Sequence, residues 1–370
     1  MAIFQKIAAV VIAALTTLAN ITGYFGLETT TEDYKTYKNV ILMIGDGMGE
    51  NHLESGKQAL DIEELNMESM PIRGQSKTNS LFWATTDSAA GATALACGIR
   101  TINGMISTYA LDPLSVFVNP KSVSEVAKDL GKAVGVVTTD YTAGATPSAF
   151  SAHTYSRDND KIITEQQLAS DIDLIWGGFT GIINEEIAND NGFTYIDTAT
   201  ELAAFDGKTQ SFGQFDFDDL KNITNNYDTP HLEALTEKAI EVLSQDEDGF
   251  FLMIEGACID KHSHSNEMEG MVKSLNEFDN AIQIALDFAE EDGETLVIVT
   301  ADHETGGITY DAENDSYYFT SGSHTNANVP LFVSESDAGF VDGAAYKNRH
   351  IGAQIGLILG AEKGTYPCAK

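Results

Sequence analysis

Short runs of β-branched and aromatic residues recur along this chain with helix-like segments between them, and that alternation limits the fold more than any other feature. The runs are NVILMI (39 to 44), AVGVVTT (133 to 139), DLIWGG (173 to 178), GFFLMIEG (249 to 256), TLVIVTAD (295 to 302) and VPLFVS (329 to 334). Between several of them lie SAAGATALACG, SVSEVAKDLG and the long EGMVKSLNEFDNAIQIALDFAEED. Strands without polar alternation need cover on both faces. The expected fold is therefore α/β: a three-layer sandwich whose mostly parallel central sheet carries helices on both sides. In such sheets ligands collect at the carboxyl ends of the strands. At 370 residues and 43% hydrophobic the chain can bury a large core, and with no repeat, linker or low-complexity tract after residue 38, residues 39–370 read as one domain.

Upstream, MAIFQKIAAVVIAALTTLANITGYFGL has one lysine and an apolar stretch from Ile7 to about Ala19. That stretch is short for a membrane span and suits a signal peptide over about 1–22, with polar residues 23–38 as a linker; an uncleaved anchor is the alternative. The protein is then expected to be secreted or periplasmic, without stable membrane association once the leader is cleaved. Three cysteines, Cys97, Cys258 and Cys368, are too few for a disulfide framework, and Cys97 in TALACG reads as a small buried residue. With 56 acidic residues against 21 basic, the formal charge is −35. Such a field opposes nucleic acid and anionic membranes, and no nucleic-acid-binding surface is expected. An anionic substrate remains possible where cations reverse the field locally.

The strand ends carry the chemistry. NVILMIGD ends in Asp46, FFLMIEG carries Glu255 and runs on to IDKHSH, and TLVIVTADHE ends in Asp302 and His303. Asp46 in GDGMG could equally be a turn residue. Asp260 and His264 are four apart and can meet one ion if the segment makes a helical turn, although DKHSH also reads as an exposed loop. Adjacent Asp302 and His303 point apart in an extended strand, so both reach one ion only through a bend at the strand end. His324, in TSGSHTNANVP, is a candidate or a plain loop histidine. Carboxylate and imidazole ligands without thiolates suit Zn²⁺, and Asp46 and Glu255 with a hydroxyl suit Mg²⁺.

Asp87 and Ser88 open the small-residue segment SAAGATALACG, where free N–H groups and the helix dipole favour an anion. Either residue could simply cap that helix. Ser88 beside divalent cations could also serve as a nucleophile, its hydroxyl acidified by a metal. Arg157 is one of four arginines, with Arg73, Arg100 and Arg349, and a guanidinium fork fits two phosphoryl oxygens.

Six segments in order, NVILMIGDGMG, TDSAAGATALACG, GVVTTDYTAGATPSAFSAHTYSR, EGACIDKHSH, TLVIVTADHETGG and GSHTNANVPLFV, closely resemble the alkaline phosphatase family, in a compact bacterial form. The resemblance implies a broad-specificity hydrolase of phosphomonoesters acting through a phosphoserine, with two zinc ions and one magnesium ion. It makes Ser88 the nucleophile and Arg157 the phosphate clamp. Asp260, His264 and His324 would hold the first zinc, and Asp46, Asp302 and His303 the second, which also contacts Ser88. Asp46, Thr146 and Glu255 would hold magnesium, and Lys261 would sit near the phosphate. Family members are often homodimers, so a homodimer is implied, with small phosphomonoesters as the substrates.

One position departs from the pattern. Where the family usually has Asp or His before Ala145 and Thr146, this chain has Gly144. The expectation is a magnesium site with fewer supporting partners, weaker Mg²⁺ retention and a freer Lys261, unless Gly144 is simply a turn glycine with φ > 0. Competing readings are a related phosphodiesterase or nucleotide pyrophosphatase, which Arg157 disfavours, and a non-catalytic secreted metal-binding protein, which has no need of Ser88. A sulfatase is disfavoured because GIR, without the proline of that family's cysteine motif, follows Cys97.

Overall fold

The computed structural model describes residues 34–110, 117–362 and 366. The leader and most of the linker lie outside the described residues. Ten strands form one sheet: β1 (Asn39–Gly45), β2 (Ile72–Lys77), β3 (Ala133–Tyr141), β4 (Leu174–Gly178), β5 (Thr194–Ile196), β6 (Ser211–Phe215), β7 (Phe250–Gly256), β8 (Thr295–Thr300), β9 (Val329–Val333) and β10 (Ala345–Lys347). Their order is β10-β2-β9-β8-β1-β7-β3-β4-β6-β5. All neighbouring pairs are parallel except those made by β9, which runs against both β8 and β2.

The expected sandwich is present. Along β1 successive side chains enter opposite cores, as a two-residue period demands. Val40, Leu42 and Ile44 join one core, with Leu95, Val126 and Ile355 from the helices α2 (Ser88–Cys97), α3 (Val123–Asp129) and α8 (Asn348–Ile358). Ile41 and Met43 join the other, with Leu53, Leu235 and Leu275 from α1 (Glu50–Leu60), α5 (Leu232–Leu243) and α7 (Met268–Asp292). Each fully buried aliphatic or aromatic side chain contributes about 1.5–3 kcal/mol relative to exposure. Dozens of such residues therefore outweigh the cost of a few buried carboxylates at the sheet edge.

Sequence periodicity locates all six apolar strands and the long helix. It does not reveal β2, β5, β6 or β10. In β2, IRGQSK, burial alternates strictly and only Ile72 is strongly apolar, while β5 and β10 are three residues each. Cys97 is fully buried in the core, as its surroundings imply. No helix among the described residues is long and apolar enough to cross a membrane.

One row of paired residues sets the position of the functional edge. Thr300, Ile44, Glu255 and Thr138 lie side by side across β8, β1, β7 and β3. β8, β1 and β7 leave the sheet within one residue of this row, β3 runs on to Tyr141, and the polar ends of these strands converge there.

Candidate metal centre and phosphate site

At the carboxyl edge of the sheet, Asp46 and Asp302 each stand two residues beyond the row, and Glu255 stands in it. Strand β8 ends at Thr300 and the chain bends, so Asp302 and neighbouring His303 both reach the same space. His303 Nε2 is 3.4 Å from Asp46 Oδ1 and 3.3 Å from Asp302 Oδ2. Asp260 and His264 lie on the helical turn α6 (Cys258–His264), so the exposed-loop alternative for DKHSH is wrong. His264 Nε2 is 3.4 Å from Asp260 Oδ2, and His324 Nε2 is 3.7 Å from Asp260 Oδ1. The ligand atoms form two groups within 4.8 Å, Asp46–Asp302–His303 and Asp260–His303–His324, which share His303. His264 joins the second group at its solvent side, with its Nε2 3.0 Å from that of His324.

The three imidazoles are oriented alike. His264 Nδ1 lies 2.8 Å from the Gly322 carbonyl and His324 Nδ1 lies 3.0 Å from the Thr86 carbonyl. His303 Nδ1 lies 3.2 Å from Thr305 Oγ1, whose own hydrogen is donated to Asp260 Oδ1 at 2.5 Å. In the neutral rings each Nδ1–H is thus matched to an acceptor, which leaves the Nε2 lone pair pointing into the cluster. Burial first, then the neighbouring His324, Arg157 and His264 charges, hold the His303 pKa well below the ordinary range, so this ring is neutral. Two Nε2 lone pairs facing each other at 3.0 Å repel unless a cation or proton lies between them.

The carboxylates have the converse problem. Burial raises Asp46 well above the usual range, and nearby Asp302, Asp260 and Glu255 add to the shift. Burial, then the Asp260 charge, lifts Asp302 to about 6. Burial, then the Asp140 charge, lifts Glu255 to about 8. Asp46 Oδ1, Asp302 Oδ2, Glu255 Oε1 and Thr146 Oγ1 are buried and make no hydrogen bond. Buried polar atoms are ordinarily satisfied, and an isolated buried charge is strongly disfavoured. Asp46, Asp302 and Glu255 lie close enough to perturb one another, and buried carboxylate oxygens so arranged fit divalent cations. The carboxylate and imidazole set suits zinc, and the all-oxygen set of Asp46, Thr146 and Glu255 suits magnesium.

Ser88 is the first residue of α2, and its Oγ lies 3.1 Å from His303 Nε2. Helix α2 is buried along its whole length and can approach only because its inward residues are small. At Gly91 a Cβ would meet the Asp302 carbonyl oxygen at 2.7 Å, so a larger residue would push Ser88 away from the centre. Asp87 caps the helix through the Ala90 N–H at 3.0 Å. Its other oxygen accepts from Gly104 N at 2.8 Å and from Arg157 Nη1 at 3.4 Å. The helix cap therefore also holds the guanidinium beside Ser88, a link that neither motif shows alone.

Lys261 is not free. Its Nζ is 2.9 Å from Asp140 Oδ1, and although burial alone would depress the ammonium, this carboxylate raises its pKa above the ordinary value. Gly144 has φ −54° and is the N-cap of α4 (Ala145–Ser151), the helix that carries Thr146, so it is not a left-handed turn glycine. The freer Lys261 and the left-handed turn glycine are thus both corrected. Sequence reasoning also misses His52, wholly buried on α1, which accepts from Gly49 N at 3.1 Å and meets Ser263 Oγ at 3.1 Å between Asp260 and His264.

An α/β fold with clustered carboxylates and imidazoles, a helix-start serine and an adjacent arginine defines the class of metal-dependent hydrolases that work on anionic esters. The family model for alkaline phosphatase matches residues 37–181 and 179–353. The chain is 34% identical to alkaline phosphatase 3 of Bacillus subtilis, over 83% of this chain and 69% of that protein. It is 32% identical to the alkaline phosphatase of Escherichia coli, over 73% and 70% respectively. Alkaline phosphatase from the Antarctic bacterium TAB5 superposes with a TM-score of 0.75 at 31% identity, covering 89% of this chain and all of that one. The chain belongs to the alkaline phosphatase family.

Proposed function

We propose that this enzyme hydrolyses phosphate monoesters through a phosphoserine on Ser88, with two zinc ions and one magnesium ion bound at the strand ends. The observation that carries the reading is the convergence of inward-facing Nε2 atoms and unpartnered carboxylate oxygens in one cluster, with Ser88 Oγ 3.1 Å from the shared His303 Nε2. Asp260, His264 and His324 would hold one zinc; Asp46, Asp302 and His303 would hold the other beside Ser88; Asp46, Thr146 and Glu255 would hold magnesium. When bound, the zinc ions supply positive charge that offsets the substrate dianion and favours both the serine alkoxide and the departing oxygen.

The chain's own groups do the rest. The Ser88 oxygen attacks phosphorus as the ester P–O bond breaks, the alcohol leaves and takes a proton, and water then cleaves the new Ser88–phosphorus bond to release phosphate. Arg157, held by Asp87, presents two N–H groups to two non-bridging oxygens, a geometry that suits a monoester better than a diester. Little of the alcohol portion need be touched, so broad specificity is expected. The apolar leader supports a secreted or periplasmic location.

The test is hydrolysis of a monoester and a diester by chelator-treated protein before and after Zn²⁺ and Mg²⁺ are returned. Metal-restored monoester turnover with little diester turnover is expected. Dominant diester turnover would favour the phosphodiesterase alternative, and no turnover with full metal uptake would favour a metal-binding protein.

A further inference from the structure

We infer that Asp140 is the outer carboxylate of the Asp46–Thr146–Glu255 pocket and the anchor of Lys261, filling from β3 the space a side chain at position 144 would occupy. The inference rests on the reading that those three residues hold a hard cation.

The sheet register supplies the first argument. Asp140 stands two residues beyond Thr138, as Asp46 stands beyond Ile44 and Asp302 beyond Thr300, and these three row residues belong to the same row. Asp140 is thus a third aspartate two residues past the row, though still inside β3, whose register against β4 shifts between Val137 and Tyr141. The second argument is its wiring. Asp140 N donates to Thr138 Oγ1 at 2.7 Å, and Thr138 Oγ1 donates to Glu255 Oε2, leaving Glu255 Oε1 without a partner. Asp140 Oδ1 accepts from Tyr141 N at 2.8 Å and pairs with Lys261 Nζ. The side chain is therefore fixed relative to the pocket by β3, by Thr138 and by α6.

Space supplies the third argument. A Cβ built on Gly144 would lie 2.5 Å from Asp140 Oδ2 and 2.8 Å from its Cγ. Since φ at Gly144 is ordinary, it is space that favours glycine here: the Asp140 carboxylate fills most of the side-chain position, and the Tyr141 carbonyl oxygen would lie 2.9 Å from the same Cβ. Asp140 is tied to Glu255 through Thr138, so that space lies on the Glu255 side of the proposed pocket. A hard cation keeps several waters, and a carboxylate there can accept from them. The pairing also cancels the Lys261 charge, which would otherwise oppose a cation beside Asp46 and Glu255. Asp140 thus acts as a positioning residue.

Calorimetric titration of the zinc-loaded protein with MgCl2 tests it, using wild type, Asp140→Asn, Gly144→Asp and the exchange variant Asp140→Gly/Gly144→Asp. Asp140→Asn should bind Mg²⁺ about 10- to 100-fold more weakly, the usual range for losing an outer partner, with zinc content unchanged. Gly144→Asp alone should lower Tm through crowding. The exchange variant returns a carboxylate to the same space and should recover most of the lost affinity, which a merely structural role for Asp140 would not produce. Should Asp140→Asn fold poorly, the exchange variant is read against wild type, and a folded exchange variant that binds Mg²⁺ about 10-fold or more weakly than wild type overturns the inference. A folded Asp140→Asn protein with wild-type Mg²⁺ affinity, or a folded exchange variant that binds no better than Asp140→Asn, overturns the inference and leaves the cation pocket standing. Wild-type protein that takes up no Mg²⁺ overturns both.

Discussion

The two ends of the candidate metal centre are built differently. At the histidine end, Asp302, His303, Asp260, His264 and His324 come from short contiguous motifs, and each imidazole is oriented by a carbonyl or by Thr305. At the glutamate end, Glu255, Thr146 and Asp140 come from three separate elements, and their geometry depends on the register of β7 against β3. The first end takes pairs of ligands from short motifs, although contacts between distant segments bring those motifs together. The second takes single residues from separate elements and depends on the pairing of β7 with β3; on the inference above, its outer carboxylate comes from β3 and not from position 144.

Substitutions at the two ends should separate accordingly. His303 is shared by both ligand groups and touches Ser88, so His303→Ala should remove zinc from the centre and lower kcat/KM by roughly a thousandfold or more, since each tenfold corresponds to 1.36 kcal/mol of barrier. Elemental analysis beside monoester kinetics checks it; retained zinc with near-native turnover would break the assignment. Glu255→Gln should act on the other end alone. It is expected to weaken Mg²⁺ binding at least as much as the loss of an outer partner does, about 10- to 100-fold, while both zinc ions remain. Loss of zinc in that variant would show the two ends to be one cooperative unit.

Arg157 lies outside both ends and is held by Asp87. Arg157→Ala should raise KM for a monoester about 10- to 100-fold, the equivalent of one charged hydrogen bond worth ~1.5–3 kcal/mol, and should affect a diester less. Equal losses for both substrates would remove the clamp assignment. His52→Gln probes the scaffold of the histidine end at smaller cost. Burial holds the His52 pKa at about 3 against an ordinary 6.5. The unfolded chain therefore takes up a proton below pH 6.5 that the folded protein refuses until about pH 3. Stability present above about pH 6.5 is lost as pH falls through this window, at up to about 1.4 kcal/mol per pH unit for this proton. Unfolding of metal-free protein between about pH 7 and 5 should show a shallower decline in His52→Gln than in wild type.

The difference between the ends also explains what the sequence reveals. Apolar runs that end in Asp46, Glu255 and Asp302 announce the sheet and its functional edge, because a doubly covered strand has a strong local signal and ligands come directly after it. The i, i+4 spacing of Asp260 and His264 is readable for the same reason. Asp140 also follows an apolar run, in VVTTD, but its closeness to position 144 is set by the fold and has no local signature. Thr138, Thr305, His52 and the bond from Asp87 to Arg157 carry no local pattern; they are defined by contacts between segments far apart in the chain. The marginal strands are likewise silent, since short strands with polar alternation resemble loops until a neighbour pairs with them.

The central claim is that the helix-start hydroxyl of Ser88 takes the phosphoryl group. Zinc- and magnesium-loaded enzyme, incubated with a monoester or with inorganic phosphate and quenched in acid, can be digested and mapped by mass spectrometry. The expected result is a single phosphorylated peptide, modified at Ser88 and missing in Ser88→Ala, whose turnover should fall roughly a hundredfold or more, about 2.7 kcal/mol of barrier. Wild-type turnover by folded Ser88→Ala, or a phosphoryl group on another residue, would contradict it.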